Sequence, residues 1–483
     1  CALAAPRAHR LLPPAPRPSA VAQTEGGRIA FAGGAVYEDG RLLHAPGDEW
    51  PELFVHIPLL AGEPGKILLS GGGACFALPE ALKHRPASVV IAEPDRRRAD
   101  ILCAAAGAPA GGFTLLAKDP RRLETGNYDL VFQTEPSPDN AALNRFFTRE
   151  YFAGTARLLK PGGILAFQLP FAENYVPPAS AYAAASVLAS AASVFSHVEL
   201  VPGGRLTVLA SRRPMDLSPA RLAAVYSRRG IKNRIAVPSA FPFMLDPYRR
   251  AWAARELARV RRPALNTDLD PLAYFRFWRA WLGMVVSPAS LVGLAALALA
   301  GSAAARRLAA APSAGGLAGE AFLMGFWAMA LETSLLLAFQ SATGRLAAEL
   351  GLLFTLFMAG GAAGAVSGRR PGTGAAEAAA CCLSVIGVMA APAASLWAWA
   401  LLPAAGFVSG AFYARAASAS PGGVYLFDML GGAAGGLAAA AFAAPLAGIR
   451  GSIWMAAAAA AGALLLRLYV RYRGSEKAST PKV

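Results

Sequence analysis

The sequence predicts an α/β soluble domain with a largely parallel sheet, fronted by a small β-hairpin unit and followed by an all-α, multi-pass transmembrane bundle. Three observations carry this prediction. Lys66-Ile-Leu-Leu-Ser70 is an apolar strand that runs into Gly71-Gly72-Gly73, and a second strand, Ser88-Val-Val-Ile-Ala92, ends on Glu93. Strand and helix patterns then alternate from residue 66 to about residue 210. After about residue 281, Ala, Gly and Leu dominate and charge nearly vanishes.

Each element can be justified in turn. Residues 1–20 are a Pro/Arg-rich linker, and Cys1 reads as the start of a fragment in preference to a lipid-bearing mature terminus. Residues 21–60 form a small β unit and a linking helix near 52–60. Within it, 28–44 holds two apolar runs with Gly-Gly between them and Glu-Asp-Gly after, a hairpin signal. The domain at 61–215 has candidate strands at 66–70, 88–92, 113–117, 128–133, 163–168, 197–201 and 205–210, a Rossmann-like alternation ending in an antiparallel pair. A helical connector spans 216–280, the membrane bundle 281–472 and a basic tail 473–483.

Seven apolar stretches lie near 284–305, 318–340, 346–367, 375–392, 396–414, 424–447 and 452–470. A spanning helix needs about 17 to 25 residues, which most of them have. The formal charge of +16 is scattered, with no aromatic-studded basic groove, so no nucleic-acid partner is expected. The cations speak to topology instead. With the soluble domain outside the cytoplasm, Arg306, Arg307, Arg369, Arg370, Arg415, Arg471, Arg473, Lys477 and Lys482 fall inside, and only Arg345 and Arg450 outside. The expectation is a cytoplasmic (inner) membrane protein with its soluble domain extracytoplasmic. Cys1, Cys75, Cys103, Cys381 and Cys382 show no metal spacing, and neither a disulfide framework nor a metal site is expected.

Ligands of such sheets sit at the carboxyl ends of the strands. That rim holds Gly71, Gly72 and Gly73, whose amides can approach a ligand. It also holds Glu93 and Asp95 after the second strand, with Glu93 placed to grip ribose hydroxyls, and Asp119, which either accepts from an adenine amino group or caps the turn before Pro120.

These residues resemble the polyamine aminopropyltransferases typified by spermidine synthase, which have the class I methyltransferase fold. The resemblance covers about residues 28–212. It rests on Asp48-Glu49-Trp50, Val55-His56-Ile57-Pro58-Leu59, Ile67 to Gly73, Glu80-Ala-Leu-Lys-His84, Glu93-Pro-Asp95, Tyr128-Asp129-Leu-Val and Leu159-Lys-Pro-Gly-Gly-Ile-Leu165. Leu143-Asn-Arg-Phe-Phe-Thr-Arg-Glu-Tyr-Phe152, Leu265-Asn266 and Tyr274 look like the membrane-fused spermidine synthase-like proteins. Ala330-Leu-Glu332, Phe357-Met-Ala-Gly-Gly361 and Asp428-Met-Leu-Gly-Gly432 are similar to that group's transporter-like helices. The resemblance implies decarboxylated S-adenosylmethionine or a related adenosyl compound as cofactor, a polyamine as partner, and a further upstream membrane segment or membrane-complex partner beside the lipid bilayer.

The chain departs from that family where the chemistry is done. Ala74-Cys75-Phe76 replaces the enzymes' Asp-Gly-Gly, and Thr134 and Ser137 stand where their polyamine-binding acids belong. An attacking amine must be bound as a cation and then deprotonated by a base within reach, which hydroxyls do poorly. Glu135 and Asp139 are the nearby acids that could substitute. In the membrane half, Glu332 and Asp428 lie deep in apolar helices, where acids face a partner, a cavity or a proton path. The expectation is therefore a membrane-anchored spermidine synthase-like protein that is catalytically degenerate and acts in ligand binding or coupling. The alternatives are an active aminopropyltransferase, or a transporter-like subunit with the soluble domain as a docking module.

Overall fold

The computed structural model describes residues 18–24, 27–109, 111–173, 175–261, 263–276, 315–344, 348–367, 375–418 and 421–479. The readings placed on Cys1, on the 284–305 stretch and on Arg306, Arg307, Arg345, Arg369, Arg370 and Lys482 lie outside these residues. Two compact units form. The first comprises 1–136, 154–169 and 195–251, and the second 137–153, 170–194 and 252–483.

The first unit opens with an antiparallel meander, β1 (Ala20–Gln23), β2 (Arg28–Ala32), β3 (Ala35–Glu38) and β4 (Arg41–His44), in that order. It is larger than the hairpin expected, because residues 28–44 form three strands and Ala20–Gln23 adds a fourth against β2, where sequence showed a linker end. Gly33 and Gly34 make the β2–β3 turn with φ of 59° and 80°, values that glycine adopts without strain. Then come α1 (Trp50–Ala61), β5 (Lys66–Ser70), α2 (Ala74–Leu82), β6 (Ser88–Ala92), α3 (Arg96–Ala105), β7 (Thr114–Leu116), β8 (Tyr128–Gln133), β9 (Leu159–Pro170), β10 (His197–Val201) and β11 (Arg205–Ser211).

The sheet order is β7-β6-β5-β8-β9-β11-β10. The strands from β7 to β9 run parallel, and β10 and β11 close the sheet as an antiparallel pair. This is the strand order of the class I methyltransferase fold. Near-continuous burial of the central strands fits it, and on one face Ile67, Leu69, Ile91, Leu130 and Phe132 enter a core with Phe54 and Ile57 of α1. Phe54 meets Phe132 edge-on at 5.4 Å. The parallel register sets Ser70 level with both Ala92 and Gln133, so the residues just beyond three strands share one rim.

One expectation is overturned. Cys75 of α2 and Cys103 of α3 form a disulfide, with Cα atoms 4.7 Å apart. No short-range spacing marks the pair, because 28 residues including all of β6 separate the two; only the packing of α2 beside α3 brings them together.

The second unit holds α4 (Ala141–Asn144), the first turn of α5 (Arg149–Leu158), whose residues from Gly154 on belong to the first unit, and α6 (Pro178–Ala192). It continues with α10 (Gly315–Thr343), α11 (Ala348–Ser367), α12 (Ala375–Ala390), α13 (Ala394–Ala417), α14 (Pro421–Ala438) and α15 (Ala444–Ser479). The intervening α7 (Pro219–Arg229), α8 (Phe241–Met244) and α9 (Pro247–Ala258) link the two halves of the chain. Among the described residues, four helical stretches are long and apolar enough to cross a membrane: Leu317–Thr343, Glu349–Ser367, Ala375–Ala417 and Pro421–Tyr472.

The last two stretches fold back on themselves. Trp327 Nε1 donates to Ser384 Oγ and Leu331 and Leu335 approach Gly387, so α12 runs parallel to α10. Phe339 meets Trp399 and Glu320 meets Arg415, so α13 runs the other way, the reversal falling at Pro392. Likewise Phe322 and Phe326 meet Gly431 and Gly435, whereas Ser334 meets Ser452 and Glu320 meets Arg467. The chain turns between these contacts at Gly448, whose φ is 70°.

Glycine faces make these passes close. A Cβ on Gly431 or Gly435 would strike the Phe322 or Phe326 carbonyl of α10, and one on Gly360 or Gly364 would strike Pro403 or Phe407 of α13. One end of the bundle is tied by four charges from four helices. Glu320 Oε1 accepts from Arg415 at 3.2 Å and Arg467 at 3.1 Å, and Glu377 accepts from Arg467 at 2.8 Å and also from Arg415. Sequence counted Arg415 as a loop charge; it is a helix residue inside a neutral ion cluster.

Candidate functional site

The site is built around the turn after β5. Gly71 needs its glycine, since its φ is 96° and a Cβ there would lie 2.8 Å from Glu135 Oε1. A Cβ on Gly72 would collide with the Arg98 guanidinium, and one on Gly73 would lie 2.8 Å from the Trp50 ring. The concave face of the glycine turn is thus lined by three of the chain's own side chains, Glu135, Arg98 and Trp50.

Arg98 is the centre of this arrangement. Asp95 caps α3 by accepting from Arg98 N at 3.0 Å, which points the first turn of the helix at the rim. From there the Arg98 side chain grips two carboxylates. Its Nε and Nη2 donate to the two oxygens of Glu38 at 2.5 and 2.9 Å, and its Nη1 donates to Glu93 Oε2. Glu93 Oε1 accepts from the Asp95 amide at 3.1 Å. Arg98 and Glu93 are only 7% and 6% exposed, so this is a buried, charge-assisted cluster. Burial raises the Glu93 carboxyl above its ordinary range, with the Arg98 charge opposing. Burial, together with the charges of Glu38 and Glu93, pushes Glu135 up to about 7 against the pull of Arg98.

Beside the cluster lies a cavity of about 260 Å³ whose walls include Asp48, Trp50, Phe54, Gln133, Glu135 and Gln168. Gln133 is 1% exposed, and neither its amide nitrogen nor its oxygen has a partner among the described residues. Such a group is costly to bury unless the cavity contents supply hydrogen bonds.

The other predicted residues take varied places. Thr134 spends its hydroxyl on the Ser70 carbonyl at 2.8 Å. Ser137 donates to Asp139 at 3.0 Å in the second unit. Asp119 caps the short turn before Pro120, accepting from Arg121 N at 3.0 Å. Phe76 is buried and stacks on His44, with centroids 4.5 Å apart. In the bundle, Glu332 is 1% exposed and both its carboxylate oxygens lack partners among the described residues. Asp428 packs on Gly325, seven residues, or about 10 Å, along α10 from Glu332, so the two acids are not neighbours. No group of three metal-ligating side chains occurs among the described residues.

Sequence reasoning missed Glu38, Arg98 and Gln133. Glu38 read as part of a hairpin turn, and Arg98, in the run Arg96 to Arg98, was given no role. It also missed a buried polar chain between two of the quoted motifs: Glu80 holds His56 at 2.8 Å, His56 meets His84 at 2.7 Å, and His84 meets Arg229 at 3.1 Å. This chain fastens α1 to α2, and burial beside these cations pushes His84 down to about 2.

No protein-family model matches the chain. It is 29% identical over 241 residues to a polyamine aminopropyltransferase of Nitrosomonas europaea, covering 45% of this chain and 72% of that protein. It is 29% identical over 143 residues to putrescine N-methyltransferase 4 of Nicotiana tabacum, covering 27% of this chain and 37% of that protein, little more than a third of that relative's length. The solved spermidine synthase from Thermotoga maritima aligns with a TM-score of 0.41 and 17% identity, over 50% of this chain and 87% of that one. The chain thus combines the strand order of a class I methyltransferase with homologues, at modest identity, among the polyamine aminopropyltransferases.

Proposed function

We propose that this chain is a membrane-embedded, spermidine synthase-like binding protein that does not transfer aminopropyl groups. In this reading, the cavity beside the glycine turn takes the ammonium end of a polyamine, and the nucleoside seat is latched shut by Arg98. The observation that carries it is the Arg98 guanidinium held between Glu38 and Glu93 against Gly72. A ribose cannot use Glu93 while Arg98 does. As arranged, the seat does not fit an adenosyl group, and Ala74 offers no carboxylate for the amine of decarboxylated S-adenosylmethionine.

The cavity suits an amine better. Asp48 and Glu135 supply negative charge, Trp50 and Phe54 supply ring faces for a cation, and the unpartnered Gln133 oxygen supplies an acceptor. Transfer would require the amine nitrogen to attack the aminopropyl carbon, break its bond to sulfur and lose a proton to a base. The rival reading, a working aminopropyltransferase, draws on Glu135, because a carboxyl near 7 is suited to take that proton.

Calorimetry and product assay on the full chain in detergent separate the two. Putrescine is expected to bind, methylthioadenosine to bind weakly, and no methylthioadenosine to be released from decarboxylated S-adenosylmethionine and putrescine together. Product release above the uncatalysed rate would establish the rival.

The disulfide favours a soluble domain outside the cytoplasm of an inner membrane. Disulfides persist in oxidising compartments. A reporter fused after Val483 is expected to be active inside only; activity outside would reverse the assignment.

A further inference from the structure

Glu332 has no part in the nucleoside rim. It belongs to Leu317–Thr343, an apolar stretch long enough for a membrane pass, and lies fifteen residues from one end and eleven from the other. A carboxyl at that depth ordinarily faces a partner, a cavity or a proton path. Here the side chain is 1% exposed, neither oxygen has a hydrogen-bond partner, and no charged group compensates it among the described residues.

The helices beside it are irregular at the same depth. Phe339 meets Trp399 and Glu320 meets Arg415, so counting seven residues in from the first contact and twelve from the second sets Glu332 level with residues 403 to 406 of α13. Pro403 lies there, inside the helix. Having no N–H, it leaves the Trp399 carbonyl without its helical donor. On another side Thr333 approaches Gly436 of α14, three residues before a π-helical turn, Ala439–Ala443, that packs against α10. Such turns are rare and interrupt the regular ladder of backbone bonds. Interruptions at membrane depth are tolerated only where protein buries them or water lines them.

The ionisable groups on the packed elements stand elsewhere. Glu377 of α12, Arg415 of α13 and Arg467 of α15 gather with Glu320, twelve residues or about 18 Å along α10, with Tyr413 two residues before Arg415. Asp428 of α14 lies beside Gly325, seven residues from Glu332. Cys381 and Cys382 precede Ser384 of α12, which meets Trp327. Glu349 of α11 is eleven residues before Gly360, which meets Pro403. Arg145 binds the Ala342 carbonyl, ten residues from Glu332. Arg450 of α15 is exposed and stands two positions, about 200° around that helix, from Ser452, which meets Ser334.

A metal cation needs several oxygens converging on it, and none stands within hydrogen-bond distance of this carboxyl among the described residues. A proton needs only the carboxyl itself and cancels its charge. We propose that Glu332 is a proton-exchange site of the membrane bundle. The carboxyl keeps its proton while the helices close around it. Water enters where Pro403 and the π-helical turn interrupt the backbone ladder; the O–H bond then breaks, its electron pair stays on the carboxylate, and the water takes the proton.

The test uses the full chain in detergent, with infrared difference spectroscopy and dicyclohexylcarbodiimide as the probe. The reagent reports the acid form, because the carboxyl oxygen bonds to its central carbon while the acid proton moves to its nitrogen. At neutral pH the difference between the parent and Glu332→Gln is expected to show a protonated-carboxyl stretch that shifts in heavy water. Labelling of the parent at Glu332 is expected to fall at least fivefold from neutral to alkaline buffer, and Asp428→Asn to leave both signals unchanged. Glu332→Gln keeps the shape of the neutral acid, and labelling of the parent needs no variant to fold. No such stretch in the difference, a stretch unmoved by heavy water, or an unlabelled Glu332 overturns the proposal. Protection of Glu332 by sodium ions at constant pH overturns it too, because the site would then hold a metal cation. None of these outcomes touches the Arg98 latch.

Discussion

Arg98→Ala is expected to destabilise the soluble unit by about 3 to 5 kcal/mol, the usual cost of breaking a buried ion pair from one side. The reason is specific. Glu93 is 6% exposed and would lose its guanidinium while remaining next to Glu38 and Glu135. The loss is expected to shrink as pH falls from 7 toward 5. Carboxyls held above their ordinary range in the fold take up protons there before the unfolded chain does, which favours the folded state. Methylthioadenosine should bind the variant at least tenfold more tightly than the parent, because its ribose hydroxyls can then occupy Glu93. Should Arg98→Ala prove too unstable, Arg98→Met combined with Glu93→Gln removes both charges and is expected to cost less than Arg98→Met alone. Thermal unfolding and calorimetry read both effects. A parent and an Arg98→Ala variant with equal methylthioadenosine affinity would remove the latch from the account.

The membrane end carries the second large effect. Glu377 is fully buried, and with Glu320 it balances Arg415 and Arg467. Arg467→Leu leaves two carboxylates facing one guanidinium and is expected to cost about 3 to 5 kcal/mol, for the same reason of stranded charge. Arg467→Leu with Glu320→Leu restores neutrality and is expected to cost less than the single change. The two substitutions are therefore non-additive, as contacting charges should be. Unfolding in detergent checks this, and a double variant whose loss equals the sum of the singles would mean the cluster is not an energetic unit.

The contrast between what was legible in the chain and what was not follows from the range of the interactions. The strands come from short apolar runs: Ile67-Leu68-Leu69 and Val89-Val90-Ile91 are continuously apolar, as parallel strands covered on both faces are, and Ile67, Leu69 and Ile91 share the face that meets α1. Gly71 and Glu93 could be placed on the rim because each directly follows a strand. Arg98 could not, since its partner Glu38 lies 60 residues away in a separate sheet. The Cys75–Cys103 bond and the Glu320, Glu377, Arg415 and Arg467 cluster escaped for the same reason, each joining helices that no sequence period connects. Gln133 is subtler. It ends the strand Tyr128–Gln133 directly after the apolar run Leu130-Val131-Phe132, and a polar side chain there with no cap or turn to serve was the available signal.

The turn at Gly448 decides where the last helix runs. Straightened into one rod, the 52 residues from Pro421 to Tyr472 would reach about 78 Å, more than twice the roughly 30 Å of a hydrocarbon layer. A residue with φ of 70° at that point lets the last two passes lie as a hairpin, returning the end of α15 to the bundle end from which α14 set out.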